Sequence, residues 1–220
     1  MNKLEQLIQE LCPHGVEYKK LGEVANFFRG VTYSKQKEIN VKEAQGIKIL
    51  RANNITLSNN TINFDEVKLI DNSVKVNANQ WLLKDDILIC IASGSKDHIG
   101  KVAYIFENMD YSFGGFMGVI RVKNNIFSRY LFFILLSNYF SVYLNKLNCS
   151  TINNLNNEIL SDFSFPFPPL EIQKEIVRIL DTFTELEKEL EKELEARKKQ
   201  YAYYRDKLLT FKNISDKNIA

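Results

Sequence analysis

The chain has 220 residues, 45% of them hydrophobic and 25% charged, an ordinary globular composition with length for one sizeable core plus an appended element. Its longest apolar runs, Ile87–Ala92 and the stretch around Tyr130–Leu136, fall well short of the ~20 residues of a membrane span. Glu5 and Glu10 interrupt the N-terminal apolar residues, which argues against a secretory signal, so the expectation is a cytoplasmic chain with no membrane partner. Cys12, Cys90 and Cys149 are far apart and have only His14 and His98 to assist them, which reads as three reduced thiols and no metal. A net charge of +2 says little about partners, but residues 19–51 hold eight bases against three acids. Lys and Arg neutralise phosphates, so that stretch is a candidate nucleic-acid footprint.

In chain order, Leu4, Leu7, Ile8 and Leu11 share one face of a short helix that stops at Pro13 and Gly15. Residues 21–165 are mixed. Strand-like runs recur at Ile47–Leu50, Ile62–Ile70, Ile87–Ala92, Val102–Phe106 and Met117–Val122, separated by Gly, Asn and Asp clusters. Ser128 has the character of an N-cap, and Tyr130, Phe133, Ile134, Leu136, Phe140 and Leu144 then repeat at helical spacing, predicting one internal helix. Pro168 and Pro169 form a hinge, and neither Pro nor Gly occurs after them. Leu170 to about Phe211 is therefore predicted to be one helix of roughly 40 residues, ~60 Å long.

Along that helix Ile176, Ile179, Phe183, Leu186 and Leu190 step by 3, 4, 3 and 4, the spacing of a coiled-coil seam. The stripe continues through Leu194, Tyr201, Tyr204 and Leu208 after a stutter. Residues 181–195 carry seven acids and two lysines, and residues 197–212 carry six bases and one acid. That order suits the helix dipole. A lone helix cannot hide an apolar stripe, however, and two copies attract only when antiparallel, with acidic half facing basic half.

The sequence lacks the marks of common catalytic sites. Its glycines match neither a dinucleotide fingerprint nor a P-loop, since Val102 follows Gly100-Lys101 where a hydroxyl is needed. Ser93-Gly94-Ser95 is no nucleophile elbow. The best enzyme candidate is Glu66-Val67-Lys68, an E-x-K triplet of the metal-dependent nuclease kind, whose nearest upstream acid besides the adjacent Asp65 is Glu43. No cofactor is expected.

Four strings, in order, carry a family resemblance: Cys12-Pro13-His14-Gly15-Val16-Glu17-Tyr18 at the start, and Gly100-Lys101-Val102-Ala103 in mid-chain. Phe165-Pro166-Phe167-Pro168-Pro169-Leu170-Glu171-Ile172-Gln173 follows at the junction, and Arg197-Lys198-Lys199-Gln200-Tyr201 through Arg205-Asp206-Lys207-Leu208-Leu209 falls late in the helix. The chain thus resembles the specificity subunit of type I restriction–modification systems. That family's usual subunit holds two recognition domains and two conserved helices, whereas this sequence has one of each and resembles a half-subunit.

The resemblance implies an α+β fold, with a mixed α/β target-recognition domain at 1–167 that includes an N-terminal helix at 3–12. It further implies a conserved coiled-coil helix at 168–212 for dimerisation and partner binding, then a flexible tail at 213–220. It implies double-stranded DNA as ligand, a non-catalytic role, an antiparallel homodimer and a bipartite target. The implied partners are a methyltransferase subunit acting on adenine and a motor-nuclease restriction subunit. On chemistry, the candidate DNA contacts are Arg29, Lys35, Lys37 and Arg51 for phosphates or guanine edges, and Asn53 or Asn54 for adenine edges. Ser95, Lys96, His98 and Lys101 are further candidates. Two rival readings remain: a coiled-coil scaffold that binds no DNA, and the nuclease built on Glu66 and Lys68.

Overall fold

The computed structural model describes residues 2–39, 45–56, 58–93, 98–147 and 154–211. They divide into two compact units, 1–177 and 178–220, so the first turns of the long helix belong to the first unit.

The first unit opens with α1 (Lys3–Leu11), capped by Asn2 and Glu5, each side chain accepting a backbone N–H of the other residue. Four strands rich in apolar residues then build the central sheet. Its strands are β2 (Ala25–Arg29), β6 (Ile87–Cys90), β7 (Val102–Tyr104) and β9 (Met117–Val122), in the order β2-β9-β6-β7 and antiparallel throughout. The near-continuous apolar run at Ile87–Ala92 follows from burial on both faces. Ile87, Ile89 and Ile91 pack into one hydrophobic cluster, and Leu88 and Cys90 into another.

The first cluster includes Tyr130, Leu131 and Ile134 of α3 (Ser128–Leu136), and Phe140 of α4 (Asn138–Leu147). It also includes Leu160 of α5 (Asn157–Asp162), Leu21 and Val24 of α2 (Leu21–Val24), and Val177 of α6 (Leu170–Leu209). The second cluster lies towards a smaller sheet of β3 (Glu38–Ile39), β5 (Lys68–Ile70), β4 (Ile47–Leu50) and β8 (Ser112–Phe113) in that order. In that sheet β4 and β8 are parallel. A half-buried ion pair braces the larger sheet, with Arg121 donating to both carboxylate oxygens of the buried Asp86 at 2.7 and 2.8 Å.

Three sequence expectations need correction. The strand at Ile62–Ile70 shrinks to Lys68–Ile70, because Asp65 and Glu66 form a turn and Ile62 makes only an isolated bridge to Ile55. The single internal helix is two. The Ser137 hydroxyl donates to Ile134 O and accepts from Tyr139 N–H, offering the backbone an alternative to continuing the helix. Ser128 is not the cap of α3. That position falls to Phe127, and the Ser128 hydroxyl instead meets the Tyr104 hydroxyl at 2.8 Å.

The stiff junction before the long helix is itself paired. There β10 (Ser164–Pro166) runs antiparallel to β1 (Tyr18–Lys20) as a two-stranded ribbon. Edge pairing tolerates Pro166, which has no N–H to give. Among the described residues, no helix is long and apolar enough to cross a membrane.

Candidate nucleic-acid interface

Segments distant in sequence meet at an open cleft of about 760 Å³ in the first unit. The first arrives as β2 ends at Arg29. The backbone then passes so close to Gly114 that a Cβ on Gly30 would lie 2.1 Å from the Gly114 carbonyl oxygen, so this crossing requires glycine. Val31 continues the strand direction through a bridge to Gly114, and Tyr33 and Lys35 follow along the cleft wall. A second wall comes from the 3₁₀ turn Ala52–Asn54 after β4, bringing Arg51 and Asn53. Ser93, just after β6, and His98 also line the cleft, and the tight turn between β8 and β9 supplies Gly114, Gly115 and Phe116.

Of the candidate contacts, Arg29, Lys35, Arg51, Asn53 and His98 therefore line one cleft. The exposed Arg29 donates through Nε to Gly115 O at 3.0 Å, which fixes its stem against the turn. Arg51 is held loosely: Nη2 lies 3.4 Å from Glu66 O, and its buried Nε has no hydrogen-bond partner. Asn53 donates its amide to Glu66 Oε2 at 3.0 Å. His98 Nδ1 lies 2.8 Å from Lys101 Nζ. Glu38, the acid among the described lining residues, is paired with Lys68 at 2.8 Å, and this hydrogen bond holds its carboxyl below the usual carboxylate range. Among the described residues the lining thus presents the cations of Arg29, Lys35 and Arg51 and the amide of Asn53, with the Glu38 carboxylate paired to Lys68.

Other candidates fall elsewhere. Asn54 is fully buried, and its amide is committed to Arg51 N–H and Asn63 O. It shapes the turn that presents Arg51, which corrects the expectation that it meets a base edge. Lys37 donates to Ser73 Oγ at 2.8 Å outside the cleft lining. Lys101 is buried under His98. Ser95 and Lys96 lie outside the described residues. Glu66 and Lys68 engage different partners, Asn53 and Glu38, and among the described residues no three His, Cys, Asp or Glu side chains cluster as metal ligands. Sequence reasoning missed Tyr33 and Phe116, isolated aromatics with no periodic pattern to mark them.

The start of α6 belongs to this unit. Ile172, Gln173, Glu175 and Val177 are buried, and Ile176 packs against the core rather than forming a free seam. In the second unit Ile179 is half-buried, while Phe183, Leu186, Leu190, Leu194, Tyr201, Tyr204 and Leu208 are exposed.

Residues 13–196 match the family described as the type I restriction modification DNA specificity domain. The chain belongs to this family. It is 33% identical over 174 residues to the type I restriction enzyme EcoKI specificity subunit of Escherichia coli (strain K12), an alignment covering 77% of this chain and 36% of that protein. The fold is shared with the HsdS subunit from Thermoanaerobacter tengcongensis, at a TM-score of 0.56 and 17% identity over 83% of this chain and 42% of that one. It is shared too with the type I restriction-modification S subunit from M. genitalium, at 0.55 and 19% over 90% and 46%. The chain spans about a third of the length of the E. coli relative and under half of these two structures.

Proposed function

We propose that this chain is the sequence-reading part of a type I restriction–modification system and that the cleft at Arg29, Arg51 and His98 receives duplex DNA. The observation that carries this reading is the convergence of Arg29, Lys35, Arg51, Asn53 and His98 on one open cleft, in a chain of a DNA specificity family. Cations there neutralise phosphates and set the register, while the amide and guanidinium forks suit base edges. No catalytic step is assigned to the chain. Adenine methylation, and cleavage where a restriction subunit is present, fall to partner subunits that it directs.

The long helix pairs antiparallel with that of a second copy. Its exposed apolar stripe needs cover, and its acidic and basic halves attract only in that orientation. A two-fold pair sets two identical heads on the DNA, so the target is a bipartite inverted repeat with a fixed gap. Mapping adenine methylation in cellular DNA with and without the gene tests this reading. Loss of one bipartite, inverted-repeat motif is expected; an unchanged methylation map overturns it.

A further inference from the structure

One aromatic in the cleft is largely uncovered in the free protein. Phe116 lines the cleft yet is 68% exposed, and it packs into none of the three hydrophobic clusters of described residues. A single exposed aromatic is ordinary on most surfaces. This one is presented by a turn held on every side. The Phe116 carbonyl accepts N–H bonds from Ile91 and Ala92 at 3.0 and 3.1 Å, and Met117 N–H closes the turn onto Gly114 O at 2.8 Å. Arg29 Nε grips the neighbouring Gly115 O at 3.0 Å. The turn also lies so near the opposite segment that a Cβ on Gly115 would stand 2.8 Å from Thr32 Oγ1. The backbone is therefore rigid where the side chain is uncovered.

We propose that Phe116 is a wedge that inserts at a base step of the bound duplex, unstacking it while the surrounding cations hold the phosphates. This rests on the reading that the cleft binds DNA. A rigid mount suits that task, because a wedge on a mobile loop would lose the insertion energy to ordering the loop. Apolar side chains that part base steps do so from surfaces whose cations hold the flanking backbone, and here the cations of Arg29 and Arg51 share the lining with Phe116. Insertion covers the ring, removes apolar surface from water, and adds sequence preference for steps that unstack easily.

The test uses the full chain and a short duplex selected on it from a random-sequence pool, with 2-aminopurine placed in turn along the selected site. The variants are Phe116→Ala and Phe116→Leu, each checked for an unchanged thermal unfolding midpoint. Phe116→Ala is expected to weaken binding roughly tenfold or more with the salt slope unchanged, since the same phosphates stay neutralised. Phe116→Leu, still an apolar wedge, is expected to recover most of the affinity. Binding of the unmutated chain should raise 2-aminopurine fluorescence at one step, and Phe116→Ala should abolish that rise. Equal affinity of the Ala variant, weaker binding accompanied by a changed salt slope, or no fluorescence rise at any step with the unmutated chain overturns the wedge and leaves the DNA reading standing. If the unmutated chain selects no duplex at all, the DNA reading fails and the wedge with it.

Discussion

The side-chain carbonyl of Gln173, fully buried near the start of α6, accepts the backbone N–H of Phe127 at 2.9 Å, just where α3 begins. Its amide nitrogen donates to Pro168 O at 2.8 Å. One side chain thus satisfies the entry to α3 and the proline turn that launches the long helix. Beside it Glu175 pairs with Lys3 of α1 at 2.9 Å, tying the N-terminal helix to the same root.

Gln173→Leu keeps the volume but leaves the Phe127 N–H and the Pro168 carbonyl unpaired. We expect a loss of roughly 1–3 kcal/mol, the penalty for stranding buried polar groups, read as a lowered urea midpoint with an unchanged slope. An unaltered midpoint would mean that water or a shifted backbone replaces the amide.

The Tyr104 hydroxyl donates to Asp85 Oδ1 at 2.7 Å, and burial pushes its ionisation up to about 12 from about 10. The folded state therefore favours the protonated phenol. Its contribution is intact below pH 10 and is lost as pH rises towards 12, by a total on the order of 2 kcal/mol. Denaturant titrations across this window should show Tyr104→Phe losing stability less steeply than the unmutated chain. Equal slopes would remove Tyr104 from the account of alkaline lability.

Leu186 and Leu190 are 47% and 64% exposed on the helix surface that we assign to a second copy. Leu186→Asp with Leu190→Asp should convert a dimer to a monomer in light scattering while the head's unfolding transition stays unchanged. A monomer already present in the unmutated chain at micromolar concentration contradicts the pairing. So does efficient self-cross-linking of Asp181→Cys in a background without the native cysteines, because antiparallel helices hold those positions apart.

The elements legible in the sequence were those with strong local signals: α1 with its stop at Pro13, the doubly buried run at Ile87, the strand at Met117–Val122 and the long helix after Pro169. What escaped depends on partners far along the chain. Strand β2 reads Ala25-Asn26-Phe27-Phe28-Arg29, with no clean alternation, and forms because β9 offers its edge. The break at Ser137 was hidden by an apolar period that runs through it, although the serine that makes the break is in plain view. In the site, Arg29, Arg51 and His98 could be named for their chemistry, but their convergence is set by the Gly30–Gly114 crossing, which no local pattern announces. Asn54 had the right amide and the wrong exposure. Phe116 had neither period nor motif.

The central claim is that the cleft holds duplex DNA through its cations. Its most direct test is a titration of labelled duplex by fluorescence anisotropy across a salt series, comparing the unmutated chain with Arg29→Glu combined with Arg51→Glu. The account predicts weaker binding and a salt slope reduced by about one for each phosphate no longer neutralised, with the unfolding transition preserved. Unchanged affinity and unchanged slope in a folded double variant would contradict it and place the DNA on another face.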